Sequence, residues 1–107
     1  MSRSKIIEEL TNLLAIALRH KIGSVVNENE IYSQKYAKDA EVLIEQAKKN
    51  MGGINFSIYE IKEIINKTNI KLKKELESKP FLKDRKFEIM NVEMNKVLNE
   101  LGLTNKE

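Results

Sequence analysis

Apolar side chains recur once per helical turn in four successive segments, and residues that cannot continue a helix separate the segments. In the first segment Ile6, Ile7, Leu10, Leu13, Leu14 and Ala17 share one stripe. Glu8 and Glu9 stand near its start and Arg19, His20 and Lys21 near its end, which complements the helix dipole. Gly23 reads as its C-terminal stop. Asn27, with Glu30 three places on, reads as a capping box for the second segment. Its stripe is Tyr32, Tyr36, Ala40, Leu43 and Ala47, with Ile44 and Met51 beside it, and Gly52-Gly53 closes it. Ser57 and Glu60 repeat the capping box ahead of Ile58, Ile61, Ile65, Thr68, Leu72 and Leu76. Pro80 breaks the chain, and a fourth stripe of Phe87, Met90, Met94, Val97 and Leu101 runs to Gly102.

The pattern predicts a single all-α domain over 1–107, an up-down-up-down antiparallel bundle of four helices. The helices are expected at about 4–22, 28–51, 57–78 and 84–101, with a frayed tail over 104–107. With one proline and four glycines the chain can carry elements of that length. The segment Ile64–Ile70 is β-branched and Asn-rich, and such residues are mediocre helix formers, each about 0.5 kcal/mol worse than alanine, so a kink or break in the third helix is expected near Asn66–Asn69.

Charge is unevenly distributed. The formal net charge is +3, and the stretch NKTNIKLKKELESKPFLKDRK (66–86) carries eight basic residues against three acids. Lys67, Lys71 and Lys74 share one helical face, and Lys79, Lys83, Arg85 and Lys86 extend it. Two readings follow. The first is a solvated helix back, with Glu63 placed four residues before Lys67 for an ion pair. The second is a weak, salt-sensitive nucleic-acid surface, or a degenerate helix-turn-helix if the third helix breaks at Asn66–Asn69. Within 66–86 Phe81 is the only aromatic for base stacking, and Arg85 the only arginine for bidentate contacts, so sequence-specific reading is not expected.

Residue types needed for chemistry are scarce. The chain has no cysteine, so disulfides, thiol catalysis and Cys-ligated metals are excluded, in keeping with a cytoplasmic location. His20 is the sole histidine, and its position at the edge of the first stripe suggests a boundary residue making one hydrogen bond. Arg19 abuts His20, so the two side chains diverge by about 100° rather than working as a pair. No catalytic site, metal, cofactor or small-molecule substrate is expected. Nor is a membrane span, since no run of about 18 apolar residues occurs.

Six apolar residues fall off their own helix's stripe: Ile16, Ile31, Val42, Ile70, Ile89 and Val92. Burying one such side chain stabilises by about 1.5–3 kcal/mol, against about 0–1 for a surface ion pair. The expectation is therefore a small non-enzymatic interaction module. It would bind a partner protein, or assemble with itself, through these residues.

Overall fold

In the computed structural model, residues 2–26, 32–78 and 85–103 are described. They form four helices: α1 (Arg3–Val26), α2 (Ser33–Met51), α3 (Ile58–Glu77) and α4 (Arg85–Glu100), with no strand among the described residues. The fold is the expected all-α four-helix bundle.

The helices are not arranged as four equal sides. α1 packs against each of the others, α3 and α4 meet along a narrower contact, and α2 leans almost wholly on α1. The reason lies in α1's composition. Ile7, Leu10, Leu14, Ala17, Leu18 and Ile22 are buried, and so are Thr11, Ala15 and Val26 well around the same helix. Together they cover about half of its circumference at 100° per residue, and buried Gly23 widens the arc to roughly two thirds. A helix apolar over so wide an arc must be surrounded. α2 presents small residues to it, Ser33, Ala40 and Ala47 beside Ile44, which lets the two backbones approach closely.

Cross-helix contacts give the directions. Arg3 pairs with Glu60, Glu8 with Lys71 and Arg19 with Glu75, in rising order along both helices, so α1 and α3 run the same way. His20 late in α1 meets Tyr36 early in α2, so that pair is antiparallel, and Lys48 late in α2 reaches Glu100 at the end of α4.

Several local expectations are corrected. Gly23 does not stop α1: it is buried inside the helix, which runs on to bury Val26. Glycine in a helix interior is worse than alanine by about 1 kcal/mol, less than burial of the last turn returns. α2 begins at Ser33 with Tyr32 as N-cap and no side-chain cap, and the Asn27–Glu30 capping box lies outside the described residues. Tyr32 is exposed rather than part of the stripe. α3 runs unbroken from Ile58 to Glu77, so the turn that a helix-turn-helix needs at Asn66–Asn69 does not form. At its start Ile58 lies exposed, and Ile64 takes the buried position.

The helix ends follow their sequence signals. Ser57 Oγ accepts from the Glu60 N–H at 3.1 Å, and Glu60 Oε1 accepts from the Ser57 N–H at 2.9 Å, completing the capping box. After α2, Gly53 takes φ +77° and the Ile54 N–H donates to the Met51 carbonyl at 2.9 Å, a tight turn suited to glycine. After α4, Gly102 takes φ +72°. The Leu103 N–H donates to the Leu98 carbonyl at 2.8 Å, and the Gly102 N–H to that of Asn99 at 3.1 Å. This is a Schellman closure, and it delivers Leu103 into the core beside Leu98.

Glu93 and Thr68 are among the polar residues that enter the interior. Glu93 of α4 is 4% exposed and pairs with Lys21 at 3.7 Å and Lys96 at 3.1 Å. The Thr68 hydroxyl is fully buried in α3 without a hydrogen-bond partner among the described residues, a loss of about 1–3 kcal/mol that the surrounding core offsets.

Candidate interaction surface

The predicted basic ridge is mostly turned inward onto α1. Lys67 lies 3.3 Å from Glu63, the expected pair one turn back, and 3.5 Å from Glu8 of α1. Lys71 donates to the Glu8 carboxylate at 2.9 Å, to the Glu8 carbonyl at 3.3 Å and to Thr11 Oγ1 at 2.6 Å. An ammonium has three protons to give, and all three of these go to α1. The Thr11 hydroxyl in turn donates to the Glu8 carbonyl at 3.0 Å. Farther along the same seam Arg19 Nη1 meets Glu75 Oε2 at 2.9 Å. At its other end Arg3 grips Glu60 at 3.1 Å, donates to the Asn55 carbonyl at 3.1 Å and lies over the Phe56 ring.

The remaining basic positions divide. Lys74 is exposed and has no ion pair among the described residues. Lys79 and Lys83 lie outside the described residues; Arg85 opens α4, and its side chain lies outside them too. Lys86 is buried, 6% exposed, with its ammonium 5.2 Å from the Phe87 ring centre, so it does not extend an exposed basic surface. Two exposed lysines outside the predicted set, Lys62 and Lys73, share the outer face of α3.

The seam couples to pH. Glu8 is held below the ordinary carboxylate value of 4.5, first by the hydrogen bond and charge of Lys71 and then by Lys67. Glu60 is lowered from 4.5, chiefly by the Ser57 N–H and then by Arg3. Lys67 is raised above 10.5, by Glu63 first and then Glu8. Groups lowered on folding stabilise above their unfolded value and cease to do so as pH falls through the folded one; a raised lysine behaves in the opposite sense. Stability should therefore fall from about pH 4.5 downward, and again as pH rises past about 10.5 through the raised Lys67 value. Urea midpoints followed across this range will check it. A Glu8→Gln variant should show a shallower acid limb than the parent, and an unchanged acid limb would remove Glu8 from the account.

The off-stripe apolar residues have separate fates. Ile16 is half-buried in a groove between α1 and α3, and Ile89 packs partly against the core. Val42 (62% exposed), Ile70 (50%) and Val92 (53%) remain outside, on three different helices and each on the side away from its own buried face. Ile31 lies outside the described residues. These residues do not converge on one strip. Tyr59, which sequence reasoning passed over, is the most exposed large apolar residue at 83%. It lies within about 20° of Ile70 on the outer face of α3, three turns away. Its signal was available: Tyr59 stands about 160° from the centre of α3's buried stripe.

His20 is occupied structurally. Its Nδ1 lies 2.8 Å from the Ile16 carbonyl, and the ring meets Tyr36 edge to face at 6.0 Å. Among the described residues no three His, Asp or Glu side chains gather as metal ligands, and no helix is long and apolar enough to cross a membrane. No protein-family model, curated protein or solved structure matches the chain.

Proposed function

We propose that the chain is a helical interaction module: a non-catalytic accessory subunit or adaptor that binds a partner protein, or a second copy of itself, through apolar side chains outside its core. The outer face of α3 is the leading contact. Tyr59 and Ile70 carry this reading, since both are exposed on one face of a helix whose opposite side is fully used by the core. Tyrosine supplies much contact area at low entropic cost and is enriched where interfaces form. Val42 and Val92 point elsewhere, which suits a module with contacts on more than one side. A cytoplasmic setting accords with the cysteine-free sequence.

A second reading has its own support. Lys62, Lys73 and Lys74 are exposed and lack ion pairs among the described residues, so they are available to a nucleic-acid backbone. Three contacts of this kind give weak, strongly salt-dependent binding.

Sedimentation equilibrium across a concentration series, with pull-down from native extract with and without nuclease, tests both. Self-association or nuclease-resistant capture should be lost on Tyr59→Ser/Ile70→Ser. A strict monomer at high concentration with no captured protein would end the first reading. Capture that disappears with nuclease would favour the second.

A further inference from the structure

The groove between α1 and α3 brings together members of the two residue sets that the sequence kept apart. It is an open depression of about 400 Å³, lined by Asn12, Ala15 and Ile16 on one wall and Lys71, Lys74, Glu75 and Ser78 on the other. That volume lies within the range of sites that hold small ligands or single anchoring side chains. We propose that the groove seats a short acidic–aliphatic segment of a partner protein, with an aliphatic side chain on half-buried Ile16, above Ala15 at the floor, and a neighbouring carboxylate on Lys74. This inference rests on reading the chain as a docking module.

Charge within the groove argues for that occupant. Lys71 has given its three protons to Glu8 and Thr11 and has none to spare. The Glu75 carboxylate is met by Arg19 at 2.9 Å. Lys74 is the lining charge left without an ion pair among the described residues. The groove therefore offers one open cation beside an aliphatic floor, and its complement is one carboxylate beside one aliphatic side chain. A long lysine stem can lie along such a floor while its ammonium reaches the acid. A nucleic-acid backbone fits less well: it brings no aliphatic side chain to Ile16, and its unbroken run of phosphates would meet Glu8 and Glu75 with a single open cation to offset them.

The test is a ¹H–¹⁵N NMR titration of the whole chain with the capped peptide Ac-Glu-Glu-Leu-Leu-Glu-Glu-NH₂. Saturable shifts are expected at the amides of Ala15, Ile16 and Lys74. The same peptide with glutamine in place of each glutamate should bind about three- to tenfold more weakly. Lys74→Glu, at an exposed position, should weaken the acidic peptide by about tenfold or more. Ile16→Ser should weaken both peptides. Tyr59→Ser/Ile70→Ser should bind like the parent, so failure here and failure of the α3 outer face are read separately. Absence of saturable shifts at the groove, or binding indifferent to Lys74→Glu, would overturn the assignment. So would an oligothymidylate that occupies the groove in place of the peptide, with a salt dependence of several released ions.

Discussion

Leu14→Ala should destabilise the protein by about 2–5 kcal/mol, read from urea or thermal unfolding followed by circular dichroism. Leu14 is fully buried near the middle of α1, the helix that every other helix touches. Truncation there removes contacts in the shared centre, and the surrounding helices cannot all close on the space at once. Cavity loss then adds to lost transfer energy. The matched control is Ile58→Ala. Ile58 belongs to a sequence stripe just as Leu14 does, yet it is exposed, so its truncation should change stability by about 0.5 kcal/mol or less. Equal losses at the two positions would contradict an α1-centred core.

Asn66→Pro should be as damaging, at about 3 kcal/mol or more. The Asn66 side chain is exposed, so the effect comes from the backbone: proline removes a helix hydrogen bond and its ring collides with the preceding turn. The outcome separates two conformations of one segment. In a continuous α3 the substitution falls mid-helix and splits the element that carries Ile64, Thr68, Leu72 and Leu76. In a helix-turn-helix it falls in a turn and is tolerated. An Asn66→Ala control should be neutral or slightly stabilising, because alanine is the better helix former. Unfolding curves of the three proteins, with helicity at 222 nm, provide the measurement.

Local chemistry made much of the fold legible. The Ser57–Glu60 box and Gly102 mark the start of α3 and the end of α4, since caps are written in adjacent residues. Poor propensity at Asn66–Asn69 misled because tertiary burial of Ile64, Thr68 and Leu72 outweighs a few tenths of a kcal/mol per residue. Gly23 misled for the same reason. Tyr32 and Ile58 have the right period but lie at helix starts and stay exposed, which period alone does not reveal.

The candidate surface was less legible. A stripe of lysines on α3 says nothing about Glu8, which is remote in sequence and meets two of them only after folding. Periodicity reports which way a side chain points from its own axis. It does not report what stands there. The groove shared by Ile16 and Lys74 is likewise a property of two helices together. Lys86 shows the limit most sharply, a basic residue in a basic run that is nevertheless buried.

The central position of α1 has a consequence during synthesis. α1 precedes the three helices that shield it, and the last described core residue, Leu103, follows roughly 75 positions after Val26. At ribosomal rates of about 5–20 residues per second, its apolar girdle waits on the order of 4–15 s for complete cover. For that interval the nascent chain presents the kind of greasy helix that holdase chaperones recognise, and α2, arriving first, is its earliest shelter.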